Sequence, residues 1–195
     1  MRRKAPIATL CAVAALAAGC ASPPSHFYTL SRTATPATAT STVSVVVGPV
    51  SIPAIVDLPQ MVVTTGPNQV SLDEFNRWAS PLQNNISRVV AENLVAMLGT
   101  PRVSLFQQSL NADADYRVAI EVQSFESSLG EAATLNAVWI VRRTKDGRVE
   151  TGRTAVREAA QDKGYDALAA AHSRALERLS QDVANTVSVL DRGAR

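Results

Sequence analysis

The chain of 195 residues is long enough for one domain with a sizeable core, and its 19 basic and 17 acidic residues give a formal net charge of +2. Three of the basic residues, Arg2, Arg3 and Lys4, stand at the amino terminus, so sixteen basic residues face seventeen acidic ones in the remainder. This nearly neutral balance does not support nucleic-acid binding, which needs a basic face.

The first 20 residues have the pattern of an export signal. The three cations precede an apolar run from Pro6 to Ala18, which is too short to cross a bilayer as a stable helix. The run ends in Gly19-Cys20 and resembles the lipobox of bacterial lipoproteins. The resemblance implies cleavage after Gly19, a diacylglycerol in thioether linkage to Cys20, and an N-acyl group on the new amino terminus. An ordinary signal peptide is the alternative, and it would leave Cys20 as a lone exported thiol.

This interpretation predicts a domain held to a membrane by acyl chains, since several chains together bind firmly. Ala21, rather than Asp, follows Cys20, and this resembles lipoproteins sorted to the periplasmic face of the outer membrane. Cys11 lies in the segment that is removed, so the mature domain has no cysteine for a disulfide.

Composition divides the chain into four parts. Residues 1–19 are the predicted lipoprotein signal peptide, and residues 20–42 hold the lipidated cysteine, an aromatic arm and a Thr/Ala/Pro linker. Residues 43–190 form one predicted domain, and residues 191–195 a disordered tail. Within the arm, residues 26–30 (HFYTL) suit either an edge strand of the domain's own sheet or a docking peptide for a partner.

The domain alternates between strand and helix patterns. Pro53 and Pro59 bracket a loop after the first strand, and Lys145-Asp146-Gly147-Arg148 is typical of a hairpin turn. The Arg142-Arg143 pair before this turn is expected to be solvated. Strands are predicted at 43–50, 60–65, 69–72, 103–106, 115–124, 133–141 and 149–159, the last of these polar enough for an edge.

Two segments have the apolar spacing of amphipathic helices. The first begins with Ser80 as its N-cap and Pro81 at its first position, and it ends at Gly99. The second runs from Gly164 to Leu190 and is long enough for its end to project and contact another copy. These elements predict an α+β fold, a mostly antiparallel sheet with two helices packed on one face.

No catalytic or metal-binding pattern stands out. The two histidines, His26 and His172, are far apart, and no Cys or His pair has metal-ligand spacing. Neither a Gly-x-Ser-x-Gly elbow nor a phosphate-binding glycine loop is present. We therefore expect no enzyme activity, no metal, and no cofactor beyond the covalent lipid on Cys20.

Three stretches resemble successive motifs of the ABC-type transport auxiliary lipoproteins, the family that includes the PqiC/YmbA-like lipoprotein of the paraquat-inducible MCE transport system. They are residues 26–30, 47–62 (VGPVSIPAIVDLPQMV) and 78–98 (WASPLQNNISRVVAENLVAML). A basic residue is more usual in the family where Leu58 stands, and an acidic one where Ser80 stands.

The resemblance implies an accessory lipoprotein that docks the tube or ring of an MCE-domain protein at the outer membrane during intermembrane lipid transport. A self-assembling structural envelope lipoprotein, with the long helix in a homomeric interface, is the alternative, and a ring of copies fits both. The candidate partner-binding residues lie in the arm, in the Pro53–Pro59 loop and at Trp78, for which core anchoring is the likelier role. They are Phe27, Tyr28, Pro53, Asp57, Pro59 and Trp78.

Overall fold

The computed structural model describes residues 23–38, 40–106 and 113–193. The predicted signal peptide, the lipidation site Cys20 and the last two residues lie outside this part of the chain. Within it, no helix has the length and apolarity that a membrane crossing requires.

The described chain contains eight strands and two helices. The strands are β1 His26–Tyr28, β2 Val45–Ser51, β3 Gln60–Gly66, β4 Gln69–Trp78, β5 Val103–Leu105, β6 Tyr116–Ser128, β7 Ala132–Arg143 and β8 Val149–Ala159. The helices are α1 Leu82–Leu98 and α2 Tyr165–Arg192.

The strands form two sheets. The larger sheet has the order β5-β2-β6-β7-β8, in which β2 is parallel to both neighbours and β6, β7 and β8 are antiparallel. The smaller sheet has the order β1-β4-β3, with β1 parallel and β3 antiparallel to β4. Most paired residues belong to the antiparallel ladders, so the predicted α+β class is confirmed. The sequence did not predict the division into two sheets, because short parallel pairings join distant segments.

Both helices pack against each other and against the larger sheet. α1 starts one residue later than predicted, since Pro81 has an extended ψ of 128° and is itself the N-cap residue. Gly99 ends the helix in the left-handed conformation (φ 62°), as predicted. In α2, Val187 and Leu190 are buried, so the carboxy-terminal end of this helix packs within the domain and does not project.

The core lies between the helices and the larger sheet. The predicted alternation in β6 is present, with Tyr116, Val118, Ile120 and Val122 all buried. β8 is the outer strand of the sheet, as its polar composition predicts.

A tryptophan covers a glycine on the strand beside it. Trp139 in β7 lies opposite Gly152 in β8, and a Cβ atom on Gly152 would be only 2.1 Å from the indole ring. The Trp139 indole N–H donates a hydrogen bond of 3.1 Å to Thr154. Glycine at position 152 therefore makes room for the ring.

The end of β7 holds the end of α2. Arg143 is buried, in contrast to the solvated position expected for it, and its Nη1 donates a 2.7 Å hydrogen bond to the carbonyl of Leu190. Its Nε donates to Asp146 at 2.9 Å, and this contact helps hold the pKa of the Asp146 carboxyl well below its usual range. The hydrogen bond from Arg143 satisfies a carbonyl that the helix end leaves without an internal partner, and Asp146 pairs with the charge of the same side chain.

The segment after β1 has no regular secondary structure, as its composition predicts, yet it is bound to both helices. The Ser31 amide donates to Ser173 Oγ (3.1 Å), and the Ala37 amide donates to the Ala96 carbonyl (2.8 Å). Main-chain amides make these bonds, and small side chains allow the close approach. Composition alone does not reveal such contacts.

Candidate partner-binding surface

The loop between β2 and β3 is built from two overlapping turns. The Val56 amide donates to the Pro53 carbonyl at 3.1 Å, and the Asp57 amide donates to the Ala54 carbonyl at 3.3 Å. Val56 is buried and fixes the loop to the core, while Ile55 and Asp57 are exposed. The loop is therefore anchored by Val56, with the half-buried Leu58 also packed against the core, and it presents Ile55 and Asp57 to solvent.

Trp78 joins this loop to the smaller sheet. Its amide donates a 2.8 Å hydrogen bond to the Pro59 carbonyl, and its buried ring packs edge-on against Phe125 and His172, each with a centroid distance of 6.3 Å. The ring also contributes to a concave surface of about 330 Å³ that includes Asp57 and Pro59. Trp78 is thus a core anchor at the floor of this hollow.

The aromatic arm is the edge strand β1. Phe27 is 64% exposed and lies beside Arg77 of β4. Tyr28 lies beside Trp78, and its carbonyl accepts a 2.8 Å hydrogen bond from the Ala79 amide. The intramolecular strand, one of the two interpretations of residues 26–30, is therefore the one present in this chain.

A polar cluster fixes β1 and β4 to the start of α2. The Tyr28 hydroxyl donates to Asn76 Oδ1 (2.8 Å), the Tyr165 hydroxyl donates to Asp73 Oδ2 (2.7 Å), and the two tyrosine rings lie 5.9 Å apart. Burial raises the pKa of Tyr165, and its hydrogen bond to Asp73 raises it further. Burial opposes ionisation of Asp73, but bonds from Tyr165, Asn76 and the nearby amides outweigh it and lower the pKa. The cluster holds an ionised carboxylate and neutral phenols at neutral pH.

Five of the six candidate residues thus lie on adjacent elements, at the end of the smaller sheet where β3 begins and β4 ends. The structure brings Asp57, Pro59 and Trp78 together around one hollow, and Tyr28 lies on the strand next to Trp78. Pro53 lines a different cleft, of about 210 Å³, formed with β3, β4 and β6. Phe27 lies on the exposed edge and lines neither.

One pair in the interior has the spacing of a nucleophile and a base. Ser127 Oγ lies 2.8 Å from His172 Nε2. Both residues are buried, and the imidazole is stacked on Phe125 at 3.8 Å, so burial lowers the pKa of His172 to about 3. A general base needs a pKa near the working pH. The histidine is therefore a packed core residue.

A model of the ABC-type transport auxiliary lipoprotein component family matches residues 28–184, well over half of the chain. The protein belongs to this family. The resemblance noted from three short motifs is thereby confirmed, and the matched range holds five of the six candidate partner-binding residues. Phe27 lies just before it.

Two solved structures share the fold of this family member. Protein XCC0632 from Xanthomonas campestris, described as a DUF330 protein, is 23% identical, with a TM-score of 0.65 over 81% of this chain and 92% of its own. An uncharacterised protein is 19% identical, with a TM-score of 0.70 over 85% of this chain and 99% of its own. These similarities establish the fold alone. No curated protein shows significant sequence similarity to the chain.

Sequence reasoning missed a groove in the described part of this transport auxiliary lipoprotein. It has a volume of about 540 Å³ and lies between the β2 and β5 edge and the amino-terminal half of α1. Pro49 and the exposed Phe106 form its apolar side, and Gln83, Asn84 and Ser87 its polar side. The polar face of α1 was the sequence feature that indicated this groove, but only the apolar face of the helix was used to predict its packing.

Proposed function

We propose that this protein is the membrane-anchored accessory lipoprotein of an ABC/MCE-type intermembrane lipid transport system, docking the transport tube or ring at the periplasmic face of the outer membrane. The observation that carries the proposal is the family match over residues 28–184. The lipobox at Cys20 and the MCE-type resemblance supply the anchor and the class of partner.

Exposed side chains on well-anchored elements support a binding role. Across the described ranges, no group of three or more acidic, histidine or cysteine side chains is placed to hold a metal ion. The conspicuous features are instead exposed side chains on rigid supports, such as Phe27 on β1 and Asp57 on a loop anchored by Val56. Rigid presentation of a few protruding groups lowers the entropic cost of association.

We assign the partner-binding surface to the end of the smaller sheet that holds the Pro53–Pro59 loop, Trp78 and β1. The hollow beside Asp57 suits a protruding side chain of the MCE-domain partner, and Phe27 supplies an aromatic anchor of the kind enriched in interfaces. Trp78 acts indirectly, by supporting the floor of the hollow.

Site-specific photo-crosslinking in intact cells tests both the partner and the surface. A photoreactive amino acid is placed at Asp57 or Phe27 of the full-length lipoprotein, and crosslinked products are identified by mass spectrometry. The control position is Lys145, which is exposed in the turn at the opposite end of the larger sheet.

An MCE-domain protein crosslinked from positions 57 and 27, but not from 145, is the expected result. Crosslinks to an MCE-domain protein from position 145 alone would support the proposed function but contradict the assigned partner-binding surface. Recovery of only the protein itself from all positions would favour the self-assembling structural lipoprotein and reject the transport role.

A further inference from the structure

The hairpin formed by β3 and β4 has no charged residue at or near its tip. From Met61 to Leu72 the sequence is MVVTTGPNQVSL, an unbroken run without Asp, Glu, Lys or Arg. The turn Gly66-Pro67-Asn68 joins the two strands at the tip. Exposed loops of soluble domains usually carry charges, so an uncharged projecting hairpin requires an explanation.

Large apolar side chains are exposed close to this tip. Val70 is 43% exposed and Leu72 is 44% exposed, both on β4. Ile55, which is also exposed, lines the same cleft as Val70. The first charged residue after the run, Asp73, is turned toward α2, where it binds the Tyr165 hydroxyl. That carboxylate therefore does not interrupt the apolar surface of the hairpin, and the acidic residue of the cleft, Glu126, belongs to β6 and lies outside the hairpin.

The direction of β1 shows from which side of the smaller sheet the described chain enters it. β4 runs from the tip, at Gln69, toward Trp78, and β1 is parallel to it, with His26 beside Asn76. The chain therefore enters β1 from the side of the hairpin tip. Cys20 lies six residues before His26, a span of at most about 20 Å. The tip lies seven residues from Asn76 along β4, which is roughly the same distance.

We propose that the tip of the β3–β4 hairpin, residues 64–72, sits in the headgroup region of the phospholipid leaflet that holds the acyl chains on Cys20. The inference rests on the proposed lipid anchor and adds a second membrane contact to it. A lipid surface suits this hairpin because polar uncharged and apolar side chains both enter the interface readily, whereas a charged side chain is costly there.

The second contact fixes the orientation of the domain, which a flexible arm alone would leave free. With the hairpin tip toward the membrane, the turn at Lys145 points toward the periplasm. Because the contact is made without charges, it is insensitive to salt, unlike the attachment of a basic patch to anionic lipid.

A single introduced cysteine reports on this contact. The two native cysteines are Cys11, in the predicted signal peptide, and Cys20, the predicted lipidation site. Val70→Cys is made in the full-length lipoprotein, labelled with the polarity-sensitive fluorophore NBD, and reconstituted into vesicles of phosphatidylethanolamine and phosphatidylglycerol. Val149→Cys is the matched control, because that valine is 47% exposed but lies at the opposite end of the larger sheet.

Flotation of the vesicles is measured first, and then quenching of NBD by lipids with a nitroxide near the headgroup. We expect co-flotation of both variants, and loss of about half of the fluorescence at position 70 with little change at position 149, unaltered in high salt. Co-flotation without quenching at position 70 would overturn the inference and leave the anchor intact. A blue-shifted but unquenched probe would identify a protein contact instead. Failure to co-float would reject the anchor and, with it, the membrane contact.

Discussion

The two sheets of this protein differ in how completely their side chains are buried. In the larger sheet the side chains of β6 alternate between core and exterior from Tyr116 to Val122, before a bulge at Ser124, and the core residues are buried almost completely. The smaller sheet exposes apolar side chains, has a bulged β4, and is completed by a three-residue strand from the amino-terminal arm. The larger sheet therefore provides stability, and the smaller sheet presents exposed side chains to the surroundings.

The largest expected difference between the regions is in the cost of removing a leucine. Leu176→Ala, at a fully buried position on α2, should lower the free energy of unfolding by about 3 kcal/mol, because a cavity remains. Leu72→Ala, on the smaller sheet, should change it by less than about 0.5 kcal/mol. Urea unfolding of the two variants measures both. Equal losses would show that the smaller sheet is part of the cooperative core.

Acid should weaken the packing around His172, where α2 contacts side chains of both sheets. His172 has a folded-state pKa of about 3 because of burial, below the ordinary value of 6.5, so protonation favours the unfolded chain. Its contribution is present above pH 6.5 and declines as the pH falls toward 3. Between pH 7 and pH 5 we expect a loss of about 2 kcal/mol in the free energy of unfolding.

The control for this pH dependence is His172→Gln, which keeps a polar side chain near Ser127 but cannot become a cation in this range. Its unfolding free energy should be lower at pH 7 and should vary less between pH 7 and pH 5. An unchanged slope would assign the acid sensitivity to other groups.

A methyl group added inside the larger sheet should cost more than the same group in the hairpin. Gly152→Ala brings a Cβ against the Trp139 ring and should destabilise the domain by about 2 kcal/mol through displacement of the indole. At Gly66 the nearest atom to an added Cβ is 3.7 Å away, so Gly66→Ala should be nearly neutral. Thermal unfolding and indole fluorescence measure stability and ring position together.

The smallest effect on stability should accompany a clear effect on binding. Phe27→Ala should change the free energy of unfolding by less than about 0.5 kcal/mol, since the side chain is mostly exposed, while weakening capture of the MCE-domain partner. Phe106→Ala is the matched control, because that ring is exposed beside the groove at β5. Equal capture of the partner by both variants and by the wild type would show that Phe27 is not part of the partner-binding surface. Unfolding of the Phe27 variant would show that the arm has a structural role.

The sequence predicted those features that depend on interactions between residues close in sequence, and it did not predict those that depend on residues distant in sequence. The alternation of Tyr116, Val118, Ile120 and Val122 predicted β6 because strand periodicity is local, and the helix end at Gly99 followed from local backbone chemistry. The pairing of β1 with β4 joins residues 26–28 to residues 76–78, and no local pattern encodes it. For this reason the sequence left the arm undecided between a strand and a docking peptide.

The candidate surface could be predicted only in part, again because some of its contacts join residues that are distant in sequence. Prolines at both ends of the Pro53–Pro59 segment marked it as a loop, and the structure gives Asp57 and Pro59 a shared hollow with Trp78. The depth of Trp78 depends on Phe125 and His172, which are distant in sequence, so its burial required the fold. Arg142 and Arg143 looked alike in sequence, yet only the latter reaches the Leu190 carbonyl.

The parallel alignment of β1 with β4 has a mechanical consequence. A pull on the amino terminus acts along the axis of β1, so its hydrogen bonds to β4 are loaded together in shear and do not open one after another. Behind them, Arg88 Nη2 donates a 2.6 Å hydrogen bond to the carbonyl of the buried Leu30, which forms a second holding point. Tension at the amino terminus is therefore borne by the edge of the smaller sheet and by α1 before any of it reaches β2.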